Sequence, residues 1–306
     1  MSAVVALDVG GTLMKAAVID EHGHMLVNDY RATPTENAAD GIVEYAGEVA
    51  SRLPDPVAVG LVVPGLVDEV RGVVHYAANV GLQDVQLRDL AQQRLGVTVT
   101  LGHDVRAGGL AEGMFGAARG VEDFLFLPIG TGIAGAIYVG GQPYAGAVGQ
   151  GGEIGHMPVL PAGEQCRCGQ LGCLETYASA ASIARRYAQQ GGPPGTSTPE
   201  IVSRASSGDL IARRVWADAV AALACALATY TMLLDPELIV IGGGLAESGE
   251  ALLGPLVTAL GERLTWREPP ALVLAALGAS AGTYGAAILA WRAVGYGDAG
   301  INWRLF

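Results

Sequence analysis

The chain has 306 residues, 51% hydrophobic and 16% charged, which excludes a disordered polypeptide and predicts a core large enough for a two-lobed enzyme. A net charge of -12 excludes nucleic acid as the main partner, because binding a phosphate backbone needs a basic surface. Glycine is abundant, 45 of 306, and clusters in short runs with no period, a pattern of tight turns and close backbone approach to a ligand.

The expected elements alternate between strands and helices. Residues 4–9 and 14–19 are two β-rich runs joined by Gly10-Gly11-Thr12, which predicts a hairpin. A helix is expected over 38–52, with Ile42, Val43, Ala46, Val49 and Ala50 on one face. The continuous apolar run 57–63 reads as a strand buried on both faces. A helix over 87–95 and a strand over 97–102 follow. The plan then restarts, with strand 124–128, turn Gly130-Thr131-Gly132 and strand 133–139. A loop is expected over 191–198, then a helix over 214–234 and a strand over 238–241. The turn Gly242-Gly243-Gly244, a helix from Ala246 and a last helix over 280–293 complete the chain. The order predicts an α/β protein with mixed sheets in two lobes of similar plan, placing a nucleotide between them. The boundaries expected are 1–108 for a small N-terminal lobe, completed by about 280–306, and 109–279 for a large lobe.

No basic leader or cleavage site precedes the apolar run that starts at Ala3. The stretch 219–234 is alanine-rich, broken by Thr229, Tyr230 and Thr231, and short of a membrane span. A cytoplasmic protein with no membrane partner is therefore expected.

Two glycine turns carry the first functional signal. Asp8 ends the first strand, where it could hold magnesium directly or through water. The amides of Gly10 and Gly11 and the hydroxyl of Thr12 could bind phosphate. A type I′ hairpin turn is the alternative reading of Gly10-Gly11. Gly130-Thr131-Gly132 with Gly135 matches the dinucleotide pattern G-x-G-x-x-G, but a strand follows where that pattern requires a helix. A pair of phosphate turns remains, with Gly242, Gly243 and Gly244 as a surface for adenine or ribose. The second signal is His156 with Cys166, Cys168 and Cys173, spaced H-x9-C-x-C-x4-C. Three thiolates and one imidazole fill a tetrahedral zinc ion, so a structural zinc site is expected. Gly163, Gly169 and Gly172 would let the chain bend around it.

Together these motifs resemble the ROK family (repressor, open reading frame, kinase). The matching segments include residues 6–12, 60–65, 103–107, 128–135, 152–156, 239–244 and 282–287, with Cys-x-Cys-Gly-x-x-Gly-Cys-Leu-Glu at 166–175 the most specific. The resemblance implies an actin-like ATPase (ribonuclease H-like) fold and an ATP- and Mg2+-dependent hexokinase-like phosphotransferase acting on the 6-hydroxyl of glucose. It also implies assembly as a homodimer or homotetramer. Asp104 matches the catalytic base; Gly65, Glu153, His156 and Glu175 match sugar-binding positions. His103 stands where the family usually has Asn, which leaves the sugar open between glucose, N-acetylglucosamine and N-acetylmannosamine, and an imidazole there could titrate near neutral pH. The usual lysine after the first glycine turn is replaced by Leu13, with the chain's single lysine, Lys15, on the same strand face. The family's repressors carry a DNA-binding domain before the sugar-binding part, for which a strand starting at residue 3 or 4 leaves no room; a sugar sensor without turnover is the harder rival.

Overall fold

The computed structural model describes residues 2–53 and 55–304. The chain divides into two compact units, one of Met1–Gly120, Ala145–Gln150 and Ala279–Phe306, the other of Val121–Tyr144 and Gly151–Gly278. In the first unit, the helix after His103 packs on the C-terminal helix.

In the first unit, β1 (Ala3–Val9), β2 (Leu13–Asp20) and β3 (Met25–Ala32) form an antiparallel meander, with β1 also parallel to β4 (Ala58–Val63). β8 (Thr98–His103) adds beside β4, for the order β3-β2-β1-β4-β8. A small antiparallel sheet of β5 (Leu66–Asp68), β6 (Val73–Ala77) and β7 (Leu82–Val85) follows β4. It escapes the sequence reading because its strands are three to five residues long, too short for alternation to register. α1 (Ala38–Ala50) and α2 (Leu87–Leu95) join a core with Val5, Leu7 and Val9.

α9 (Ala281–Ala293) covers the opposite face, that of Ala6 and Gly60, and packs on α3 (Asp104–Phe115). Backbone approaches backbone here: a Cβ on Gly60 would lie 2.0 Å from the Ala286 carbonyl oxygen, and one on Gly285 2.1 Å from that of Ala107. Gly285→Ala must therefore separate α3 from α9, and we expect it to lower unfolding stability by about 2 kcal/mol through overpacking. Denaturant unfolding reads this directly, and an unchanged midpoint would mean that the two helices can part without cost.

The second unit repeats the plan. β9 (Phe124–Pro128) pairs antiparallel with β10 (Ala136–Val139) and parallel with β12 (Leu238–Gly242), as β1 pairs with β2 and β4. β11 (Gln142–Pro143) and β13 (Ala271–Leu274) complete the order β11-β10-β9-β12-β13. α4 (Glu175–Ala178), α5 (Ala180–Gln189), α6 (Thr198–Ser206) and α7 (Leu210–Leu234) precede β12, and α8 (Glu250–Gly261) follows it. α7 starts four residues before the expected 214, because Asp209 accepts the N–H groups of Ile211 and Ala212 and so caps it there. At 25 residues it is long and apolar enough to cross a membrane, yet Val215, Ala219, Leu223, Ala226 and Leu227 are fully buried in the unit's core. It is a core helix.

Candidate active site

Cross-strand register creates the first group of site residues. Asp8 on β1 lies opposite Lys15 on β2, so the lysine Nζ comes within 3.6 Å of the Asp8 carboxylate. The same Nζ donates to the carbonyl of Ala279, 2.8 Å away, just before α9. Lys15 is thus neither free nor simply exposed. Burial pushes the Asp8 carboxyl up to about 6, with Lys15 opposing and the charge of Asp104 adding to the rise. The turn that follows is not type I′, since neither Gly10 nor Gly11 has the positive φ such a turn requires. Their glycines serve close approach: a Cβ on Gly11 would lie 2.8 Å from the side chain of Asn79. Thr33 pins the turn from β3's end, its hydroxyl donating to the Gly10 carbonyl at 2.6 Å and its N–H to that of Thr12. Gly65 takes φ 95°, with the Tyr76 carbonyl oxygen 2.2 Å from where a Cβ would stand, so only glycine fits.

β8 delivers the next residues by ending where α3 begins. His103 is the N-cap of α3: its Nδ1 accepts the Arg106 N–H at 3.4 Å, at the long end for such a bond. Asp104 is the first helical residue and accepts the Val105 N–H at 2.7 Å. Its side chain keeps a quarter of its surface (25%) open, enough for a ligand hydroxyl to reach it. Burial pushes Asp104 up to about 6; the Val105 N–H and the Arg106 and Lys15 charges pull the other way. Such a carboxylate is ionised at neutral pH and still basic enough to take a proton. His103 corrects an expectation. Burial, with Arg106 adding, pushes it down to about 3, so it does not titrate near neutral pH. With Nδ1 occupied as an acceptor, a neutral imidazole offers a ligand one donor, Nε2–H.

In the second unit three loops lock together. Residues 133–135, expected to open a strand, leave β10 to start at Ala136 and instead receive the loop of Glu153 and His156. Gly135 donates its N–H to the Gly152 carbonyl at 2.7 Å, and a Cβ on Gly155 would sit 2.1 Å from the Ile133 carbonyl oxygen. Glu175, first residue of α4, accepts the Ile133 N–H at 3.0 Å and lies against Gly132. Ile129 joins Gly130-Thr131-Gly132 to Gly242-Gly243-Gly244, donating to Gly242 at 2.9 Å and accepting from Leu245 at 3.0 Å. The helix expected from Ala246 begins as a 3-10 turn, Gly244–Ser248, and becomes α-helical only at Glu250. The fold thus gathers Gly130, Thr131 and Gly132 with Glu153, Glu175 and the third glycine run in one unit. Asp8, Gly10, Gly11, Thr12, Gly65, His103 and Asp104 belong to the other.

His156, Cys166, Cys168 and Cys173 converge, with ligand atoms all within 4.8 Å of one another. Cys166 Sγ lies 3.7 Å from His156 Nδ1, and Cys168 Sγ 3.7 Å from Cys173 Sγ. Zinc–sulfur bonds of ~2.3 Å at tetrahedral angles put sulfurs ~3.8 Å apart, so the four residues fit a closed tetrahedral ion. Burial, followed by the two neighbouring thiols, pushes Cys173 up to about 12. Gly172, at φ 74°, lets the loop pass Leu160, whose carbonyl oxygen would be 1.6 Å from a Cβ. Glu164 ties the loop to the scaffold through the buried Arg186, 2.8 Å away, and through its N–H to the Tyr177 hydroxyl at 2.6 Å.

Glu69 and Arg106 were not anticipated. Glu69 follows β5 and accepts the N–H of His103 and the guanidinium of Arg106. Glu69 is a lone glutamate in a polar turn, and Arg106 lies in the 103–107 segment with no role assigned to it, so only their meeting beside Asp104 marks them.

Comparison with known proteins identifies the family and the fold. The profile of the ROK family matches residues 4–293. The chain is 34% identical to a glucokinase of Thermotoga maritima over 270 residues, covering 83% of this chain and 85% of the relative. It is 30% identical to the N-acetylglucosamine repressor of Escherichia coli O157:H7 over 248 residues, 78% of this chain and 61% of the repressor. A ROK family glucokinase from Streptomyces griseus, solved with glucose and AMPPNP, superposes with a TM-score of 0.83 at 32% identity, covering 95% of this chain and all of that one (100%). With the family profile matching nearly its whole length, this α/β chain of actin-like ATPase fold belongs to the ROK family.

Proposed function

We propose that the chain is an ATP-dependent hexose kinase that phosphorylates the 6-hydroxyl of glucose. The observation that carries this reading is Asp104, a partly open carboxylate at a helix start whose burial raises its basicity. Asp104 takes the hydroxyl proton as the sugar oxygen attacks the γ-phosphoryl group. Gly10, Gly11 and Thr12, with Gly130, Thr131 and Gly132, hold phosphate oxygens through backbone amides and hydroxyls. Magnesium, supplied with ATP, would offset charge developing on the phosphoryl group, and Asp8 would help to hold it. Gly242, Gly243 and Gly244 give adenosine a flat backbone surface. Gly65, His103, Glu153, His156 and Glu175 bind the remaining sugar hydroxyls. His156 Nδ1 with Cys166, Cys168 and Cys173 would hold zinc, which would fix the histidine's tautomer and leave Nε2–H free for a sugar hydroxyl.

Incubation with ATP, magnesium and a panel of glucose, mannose, N-acetylglucosamine and N-acetylmannosamine tests the reading. ADP release is expected, with the highest kcat/KM for glucose. A preference for an N-acetylhexosamine would move the substrate and leave the kinase; sugar binding without ADP release from any hexose would make the chain a sensor. The same assay with polyphosphate in place of ATP identifies the donor.

A further inference from the structure

We propose that Arg106, clamped by Glu69, is a positioning residue that sets where the Asp104 carboxylate points and when it carries charge. The proposal rests on Asp104 as the base. One oxygen of Glu69 accepts the His103 N–H at 2.9 Å and Arg106 Nε at 3.0 Å, with Arg106 Nη2 also at 3.0 Å. It thereby holds the chain on both sides of Asp104. Arg106 is 5% exposed, and its Nη1 reaches the Gly149 carbonyl at 3.4 Å, in the segment 145–150 that returns to the first unit. The first turn of α3 is closed by side chains throughout: Glu69 takes the N–H of residue 103, Asp104 that of 105 and His103 that of 106.

An arginine in this position is unfavourable on its own. The N-terminus of a helix carries partial positive charge, and a buried cation loses its hydration. α3 holds one there, and the Glu69 carboxylate compensates it directly. The residues flanking Asp104 are thus braced by an ion pair, in the way outer partners orient a catalytic group. The charges facing Asp104 are Asp8 from β1, Lys15 from β2 and Arg106 from its own helix, with His103 neutral beside it. Glu69 faces Arg106 from the turn after β5. Arg106 keeps Asp104 ionised at lower pH; Glu69 attenuates that effect.

Opposite shifts in two variants test this. Arg106→Gln removes the cation, so the acid limb of the kcat/KM profile should move up by about one pH unit, with kcat falling ~10-fold from lost positioning. Glu69→Gln keeps an acceptor for the His103 N–H and unmasks the Arg106 charge, so its limb should move down. Arg106→Lys restores the charge without the fork, returning the limb while kcat stays low. Carboxyl carbon NMR titration, with Asp104→Asn identifying the signal, reads the same shifts without turnover. Folded Arg106→Gln and Glu69→Gln with wild-type limbs and titrations would overturn the proposal; should Arg106→Gln not fold, Arg106→Lys and Glu69→Gln decide it. If Asp104→Asn is inactive while both variants keep wild-type limbs, this proposal alone fails. If Asp104→Asn stays active, the base assignment fails and this one with it.

Discussion

Asp104→Asn should retain the fold and lose ~10²–10⁴-fold in kcat, the usual contribution of a general base. The amide oxygen can still accept the Val105 N–H that Asp104 accepts now, so the start of α3 survives. What disappears is the group that takes the sugar proton. The wild-type profile carries the matching signature: kcat/KM should fall tenfold per unit as pH drops below about 6, the value to which burial pushes Asp104. Stability should respond in the opposite sense. A carboxyl whose pKa is higher folded than unfolded binds its proton more tightly in the native state, so its cost is absent well below pH 3.8, grows as pH rises, and is complete above about pH 6. The neutral amide escapes that cost, and Asp104→Asn should be at least as stable as the wild type at pH 7. Unfolding midpoints at pH 5 and pH 7 check this; a variant both inactive and unstable at pH 7 would assign Asp104 a structural role.

Loss of the Cys/His centre should have the second large effect. Elemental analysis is expected to find about one zinc per chain, consistent with a closed four-ligand site. Cys173→Ser should abolish it. The loop from His156 to Glu175 has little secondary structure of its own and is held by isolated bridges such as Pro158 to Cys173. Without metal that loop should loosen, freeing His156 and Glu175 together. Sugar KM should then rise ~10–100-fold, the usual consequence of disturbing a metal's supporting shell, while KM for ATP changes less. A strong chelator should reproduce the effect, and added zinc should reverse it. A metal-free, fully active protein would contradict the assignment.

The two lobes were legible in the sequence because each opens with an unusual combination, two apolar runs joined by a glycine turn. The Cys/His cluster was legible because three cysteines crowded into eight residues of a cysteine-poor chain match the ligand spacing of a metal loop. The order of the second five-stranded sheet and the small β5-β6-β7 sheet were not, since strands as short as β5, β11 and β13 produce no periodic signal. The length of α7 was missed for a local reason: its start is set by the Asp209 side chain, which caps Ile211 and Ala212.

Asp104 shows the same division at the scale of one side chain. Its candidacy as the base came from the family resemblance carried by His103-Asp104-Val105-Arg106-Ala107. Its basicity did not, because desolvation depends on what surrounds the carboxyl, and Asp8, Lys15 and α3's own first turn arrive from separate parts of the chain. His103 reads as a titratable group until its Nδ1 is seen capping α3 in a buried setting. Lys15 and Asp8 are seven residues apart, and only the β1–β2 register sets them opposite each other. By itself the sequence determined which chemical groups this protein has and how they are spaced, because backbone turns and metal geometry impose short-range rules. The tertiary structure decided their protonation and their partners, including the Glu69–Arg106 clamp, because burial and Coulomb interactions depend on distance in space and not along the chain.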